Sequence, residues 1–190
     1  MRVAITGSIG AGKSTVSTYL KAQGYPVYNT DTFTHGYYDP KGKLYPWLMD
    51  TFGTQILNED ETVNRKALSE IVFNDSFALA LLEQQVFSLV RSDILQLNDA
   101  PLLFVEVPLL FEAEMEDLFD VIISVDASMA VRYQRLEDRG LSLNQIKKRE
   151  ARQLEGAFKN QKADYVIYND HDLEYLYDAL DTVLRRIKDV

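Results

Sequence analysis

Gly7-Ser8-Ile9-Gly10-Ala11-Gly12-Lys13-Ser14 follows the apolar run Val3-Ala4-Ile5 and precedes Thr15-Val16-Ser17-Thr18-Tyr19-Leu20, which has helical spacing. These eight residues complete the pattern GxxxxGK[ST] between a strand and a helix, the context in which that pattern binds phosphate. Gly7, Gly10 and Gly12 lack a Cβ, so the backbone can take positive φ and close its N–H groups around an anion. The helix beginning near Lys13 adds unpaired donors and the positive end of its dipole. Gly10, Ala11, Gly12, Lys13, Ser14 and Thr15 are therefore the expected phosphate contacts. Lys13 can reach the β- and γ-phosphates, and the Ser14 hydroxyl is placed to ligate Mg²⁺. ATP or GTP is the expected ligand, and the turn alone does not choose between them.

At 190 residues with 46% hydrophobic content, the chain fits one α/β domain with small insertions and a substantial core. Its net charge of -9, with 20 basic against 29 acidic residues, argues against a nucleic-acid binder because no basic stretch offsets it. The absence of cysteine removes any disulfide framework or thiolate metal site and suits a reducing cytosol. The opening Met-Arg-Val-Ala-Ile-Thr-Gly leads straight into the fold, leaving no room for a signal peptide. No apolar run approaches the roughly 20 residues needed to span a bilayer. A soluble cytoplasmic protein without membrane or nucleic-acid partners is expected, with a monomer as the favoured state.

Outward from the loop, residues 2–6 predict a fully buried strand and residues 14–23 a helix that Gly24 ends. Pro26-Val27-Tyr28 begins a second short strand leading into Asn29-Thr30-Asp31. From Thr32 to Asn98 the character changes to helical segments near 65–73 and 76–97. In the latter, Leu79, Leu82, Val86, Leu89, Val90 and Ile94 recur at helical steps. Continuous apolar runs return at Leu102–Glu106 and Val121–Asp126, as in strands covered on both faces. A helix over 128–138 follows, then a charged helix through Lys147, Lys148, Arg149 and Arg152. A last strand over 163–168 leads into a closing helix from Leu173.

This alternation predicts a phosphate-loop kinase fold: a parallel five-stranded sheet flanked by helices, with a helical acceptor-binding insert and a helical lid that excludes water. The expected boundaries are a nucleotide-binding core of 1–31, 99–135 and 160–190, an insert of 32–98 and a lid of 136–159. A regulatory GTPase is disfavoured because no N-K-x-D guanine motif occurs.

Further stretches give the pattern a family. The chain resembles dephospho-coenzyme A kinases, whose opening L-T-G-G-I-G-S-G-K-S is similar to Ile5–Thr15 here. Val27-Tyr28-Asn29-Thr30-Asp31 falls where the family has V-I-D-A-D, and Asn64–Leu68 with Val72-Phe73 is similar to D-R-x-A-L…V-F. Val107-Pro108-Leu109-Leu110-Phe111-Glu112 matches V-P-L-L-F-E. Arg139–Ser142 with Arg149 and Gln153 fits the lid pattern, and Ala163–Ile167 with Asn169 resembles A-D-Y-V-I-x-N. The chain departs from the family at Asn29, which replaces the first Asp of D-x-D, and at Phe87-Ser88, which replaces His-Pro. Ser8 and Tyr168 differ as well.

The resemblance implies ATP and Mg²⁺ as cofactors, dephospho-CoA as the small-molecule acceptor, and phosphorylation of its ribose 3′-hydroxyl as the last step of CoA synthesis. Asp31 is then the base or orienting acceptor for the attacking hydroxyl, against an alternative use as a helix N-cap. Arg135 and Arg139, four apart on one helix face, brace the transferring phosphoryl, against an alternative of solvated pairing with nearby acids. Lys13 completes the catalytic set. Pro108, Leu109 and Phe111 are candidate walls for the acceptor, although core packing explains them almost as well. Glu106 ends a strand close to where a carboxylate behind the metal often sits, with a structural role preferred. Competing readings are another small-molecule kinase, such as a nucleoside or nucleotide kinase, and a nucleotide-binding module without phosphotransfer.

Overall fold

A computed structural model describes residues 1–97 and 100–189. It divides into two compact units, one of Met1–Asn29 with Asp99–Val190 and one of Thr30–Asn98. The expected boundary between residues 98 and 99 lies outside the described residues.

The first unit holds five parallel strands, β1 (Arg2–Thr6), β2 (Val27–Asn29), β3 (Leu103–Glu106), β4 (Val121–Asp126) and β5 (Tyr165–Tyr168), in the spatial order β2-β3-β1-β4-β5. In chain order the helices are α1 (Lys13–Ala22), α2 (Thr30–Tyr37), α3 (Tyr45–Phe52), α4 (Arg65–Asn74), α5 (Ser76–Leu95), α6 (Met129–Asp138), α7 (Leu143–Glu150), α8 (Gly156–Lys162) and α9 (Leu173–Lys188). β1 is the central strand. It is paired with β3 from Arg2↔Leu103 to Ile5↔Glu106 and with β4 from Val3↔Val121 to Thr6↔Ser124. A strand with neighbours on both edges and helices on its faces must be apolar throughout, and Val3, Ala4 and Ile5 are fully buried. Val16 and Leu20 of α1 and Leu176, Leu180, Val183 and Leu184 of α9 join these strands in one core. The apolar spacing of α9 puts all four on one stripe, and its start is capped by Asp172, whose carboxylate accepts from Tyr175 N–H at 2.9 Å.

The strands sit where the apolar runs predicted, with edges shifted for local reasons. β2 begins at Val27 because Pro26 has no N–H for the ladder, although its carbonyl accepts from Phe104 N–H at 3.0 Å. β5 begins at Tyr165. The Asp164 side chain, rather than a carbonyl, takes the Ile122 N–H at 2.8 Å. The charged helix through the lid stops at Glu150, earlier than expected, because residues 151–153 turn sharply, with Gln153 N–H donating to Glu150 C=O at 2.9 Å.

In the second unit α2 to α5 form their own core around Leu48, Ile56, Leu82 and Ile94. Only Leu82, Val90 and Ile94 of the predicted α5 stripe are deeply buried, while Leu79, Val86 and Leu89 are partly covered. Asp75 caps α5 through Phe77 and Ala78 N–H, and the helix runs unbroken past Phe87-Ser88. Asp93 fastens α5 to the start of the unit by accepting from Tyr37 OH at 2.7 Å and pairing with Lys43. Trp47 packs edge-on against Phe52, a structural use of the insert's aromatics. Among the described residues no helix is long and apolar enough to cross a membrane.

Leu180 is fully buried between α9 and the sheet. Leu180→Ala is expected to lower unfolding stability by about 2–5 kcal/mol, measured by urea denaturation.

Candidate active site

The residues from Gly7 to Ser14 connect the C-terminal end of β1 to the first turn of α1, the edge at which open parallel sheets bind ligands. Gly7, Gly10 and Gly12 all adopt positive φ, at 135°, 80° and 107°. Space also requires all three to be glycine, since a Cβ on Gly10 would lie 2.8 Å from Arg132 C=O. A Cβ on Gly7 would lie 2.0 Å from Val125 C=O, and one on Gly12 would lie 2.1 Å from the Asn169 side-chain nitrogen.

The loop's carbonyls are held from outside by side chains. Lys13, itself buried, donates through Nζ to Gly7 C=O at 2.9 Å and Ser8 C=O at 3.0 Å. Arg132 reaches Ile9 C=O at 3.3 Å. Ala11 C=O accepts from Asn169 Nδ2 at 2.8 Å and from Arg135 at 3.5 Å. Asn169 lies just beyond β5 and is 4% exposed. Its other side-chain atom accepts from Arg135 at 3.4 Å, and its backbone N–H donates to Asp126 C=O at 2.7 Å. Carbonyls fixed in this way turn the remaining loop amides to the anion-binding nest, while the Ile9, Ala11 and Thr15 N–H groups donate to Gln153 Oε1, Ser8 C=O and Gly12 C=O.

Beside Gly12 and Thr15 opens a cleft of about 380 Å³ whose walls include Arg135, Arg139, Asn169 and His171. The two predicted lid arginines thus share a wall with two predicted phosphate contacts. His171 stacks edge-on with Tyr175 and leaves the capping of α9 to Asp172. A larger cleft of about 640 Å³ flanks the loop on the Ser8 side, against Tyr133, Lys147, Gln153 and Gly156.

Ser14 is exposed in the first turn of α1, and Ser17, one turn on, donates to the Glu106 carboxylate at 2.7 Å. Glu106 is 6% exposed at the end of β3, beside Ile5 of β1 and Asn29 of β2. These are hard oxygen donors of the kind that Mg²⁺ takes together with nucleotide phosphates.

Asp31 belongs to the second unit. It lies in the first turn of α2 with an exposed side chain, inside the helix rather than at its N-cap, and its carbonyl accepts from the Thr34 hydroxyl. Pro108, Leu109 and Phe111 follow β3. Phe111 is 6% exposed and packs edge-on against Phe158, and Pro108 C=O accepts from Lys159 at 2.9 Å.

Sequence reasoning gave no individual role to several side chains of this region. Lys159 is fully buried and pairs with Glu112 Oε1 at 2.8 Å, the same oxygen that accepts from Leu154 N–H. The other oxygen, Glu112 Oε2, is buried without a hydrogen-bond partner. Glu150, at the end of α7, accepts from Arg132 at 2.9 Å and from Tyr133 OH at 2.6 Å, and Gln153 Oε1 accepts from Ile9 N–H at 3.0 Å. The Tyr133 hydrogen bond first, and then the Arg132 guanidinium, hold the Glu150 carboxyl below its ordinary range, and the same hydrogen bond raises the Tyr133 phenol.

A family model described as dephospho-CoA kinase (CoaE) matches residues 1–174. A dephospho-CoA kinase of Streptococcus mutans is 33% identical over 192 residues, covering 98% of this chain and 97% of that relative. Two solved structures are similar over 98% of this chain. One is the TT1252 protein of Thermus thermophilus, at 33% identity and a TM-score of 0.81 over 97% of that chain. The other is a dephospho-CoA kinase from Campylobacter jejuni, at 27% identity and a TM-score of 0.70 over 96% of that chain.

Two predictions follow from the pairs around the loop. Lys159→Met strands a buried carboxylate and is expected to cost about 3–5 kcal/mol, with Lys159→Met/Glu112→Gln recovering part of the loss in urea denaturation. The depressed Glu150 pKa makes its latch contribute fully above the unfolded carboxyl value of about 4.3, with loss as pH falls through the folded value. The raised Tyr133 pKa makes its part complete below about 10, with loss as pH rises beyond it. The stability difference between wild type and Glu150→Gln should therefore be constant from pH 5 to 9 and shrink below about pH 4.

Proposed function

Because this chain belongs to the dephospho-CoA kinase family, we propose that it uses ATP to phosphorylate the ribose 3′-hydroxyl of dephospho-CoA, releasing CoA and ADP. The observation that carries this reading is the family match across residues 1–174, which spans the phosphate loop, the V-P-L-L-F-E segment and the lid.

Phosphoryl transfer depends mainly on alignment and on neutralising charge as it spreads over the transferring oxygens. Gly10, Ala11, Gly12, Lys13, Ser14 and Thr15 form the cradle of the phosphates. Lys13 releases its loop carbonyls as its ammonium turns to the β- and γ-phosphate oxygens. Arg135 and Arg139, on the wall of the cleft beside Gly12, brace the transferring group and leave the cleft itself to the nucleotide. Asp31, exposed at the start of α2, accepts the proton of the attacking hydroxyl. Residues 32–98 serve as the acceptor insert, with Pro108, Leu109 and Phe111 supporting the acceptor side, and residues 136–159 serve as the lid. Ser14 would hold Mg²⁺, which would supply charge neutralisation to the nucleotide phosphates.

ADP release from Mg·ATP, measured with and without dephospho-CoA, tests the reading. Strong acceptor dependence is expected, with kcat reduced by about 10²–10⁴-fold in Asp31→Asn at a similar KM for ATP. Turnover that survives in Asp31→Asn would keep the reaction and remove Asp31 from its role. Absence of turnover with dephospho-CoA would overturn the acceptor.

A further inference from the structure

Among the described residues, both backbone polar groups of Ile9 in the phosphate loop are held by side chains from α6 and the turn after α7. Its N–H donates to Gln153 Oε1 at 3.0 Å and its C=O accepts from Arg132 Nη1 at 3.3 Å. These groups belong to two successive peptides, and in a trans peptide the C=O and N–H point in opposite directions. The Ser8–Ile9 peptide is gripped at both ends, its carbonyl by Lys13 at 3.0 Å and its N–H by Gln153. In the Ile9–Gly10 peptide, Arg132 fixes the carbonyl outward and so directs the Gly10 N–H toward the concave side. Without that hold the peptide can turn over cheaply, because Gly10 has no Cβ and its φ of 80° is already in the glycine-favoured region. A turned peptide would present a carbonyl dipole to the phosphate in place of a donor.

The hold is itself braced. Glu150 takes the second Arg132 nitrogen on one oxygen and the Tyr133 hydroxyl on the other, and Glu150 C=O accepts from Gln153 N–H at 2.9 Å. One turn at the end of α7 therefore reaches Ile9 twice, directly through Gln153 and indirectly through Glu150 and Arg132. Arg132 Nε is buried without a partner, so the guanidinium is placed for its two terminal contacts at the expense of its third. Ordering four long side chains around a single loop residue costs conformational entropy that a solvated loop would not need to meet.

We infer that Arg132 and Gln153, braced by Glu150 and Tyr133, are positioning residues for phosphoryl transfer, which set the orientation of the two peptides flanking Ile9. The inference rests on the kinase reading for its rate consequence and on the loop geometry alone for its structural one.

The test compares wild type with Gln153→Met, which keeps the shape and removes the acceptor, and with Tyr133→Phe, which removes one hydroxyl and is the safer fold. Gln153→Met is expected to lower kcat by roughly 10-fold to 100-fold, with KM for dephospho-CoA within about twofold, and Tyr133→Phe to follow in the same direction by a smaller factor. Backbone amide exchange in the protein without nucleotide should accelerate at Ile9 in Gln153→Met while the α9 amides keep their protection. Unchanged Ile9 exchange would overturn the hold whatever the acceptor proves to be. Accelerated exchange with kcat unchanged, or a loss confined to KM, would overturn its part in transfer. If Gln153→Met does not fold, Tyr133→Phe decides, and wild-type kinetics in that variant overturn the inference. Wild-type protein inactive toward dephospho-CoA would instead count against the acceptor, with Ile9 exchange still deciding on the hold.

Discussion

A phosphate-binding loop must offer several amides to one anion while the carbonyls of the same peptides find donors elsewhere. Here those donors come from far apart in the chain: Lys13 from the loop's own helix, Arg132 and Arg135 from α6, and Asn169 from the end of β5. Because α6 follows β4, and β4 and β5 lie side by side, the strand order itself brings these groups to one edge. The sheet is thus the means by which distant donors reach one turn, and Gly7 and Gly12 are its tightest points of contact.

The frame was legible because it rests on local signals. β1, β3 and β4 are short apolar runs with no polar alternation, as burial on both faces demands. The loop announces itself through glycine and lysine spacing, and α9 through its apolar stripe. The braces were much less legible. Lys159 lies in Lys159-Asn160-Gln161-Lys162, a run that looks solvated, and only its contact with Glu112 and Pro108 makes it a core residue. Arg132 and Arg135 on α6 and Arg139 at its C-cap are equivalent as charges. Which of them meets Ile9, which meets Ala11 and which stays on the cleft wall depends on where α6 sits against the loop. Asn169 was visible only as part of a family pattern. A polar residue immediately after the last strand is the signal that could have marked it, since that is where parallel sheets expose their binding edge.

The second unit separates two duties of one stretch. Its interior is tied by Asp93, Tyr37 and Lys43, and Trp47 and Phe52 are spent on packing. Asp31 stands at its entry, immediately after β2, so the carboxylate assigned to the acceptor hydroxyl is carried by the same unit as the insert rather than by the phosphate loop. On the proposed reading, the split would let acceptor recognition vary without altering the loop.

Central placement of β1 also bears on how the chain is made. Its two partners are β3 and β4, and β2 pairs with β3 but not with β1. During synthesis from the N-terminus neither of the first two strands has a neighbour until residue 103 has emerged, by which time the whole helical insert is available to fold on local contacts. The apolar first strand must wait, unpaired, for about half of the chain. The interval between β2 and β3 is accordingly when the nascent protein most needs shielding from aggregation, and an insert that folds early shortens the effective loop that β3 must close.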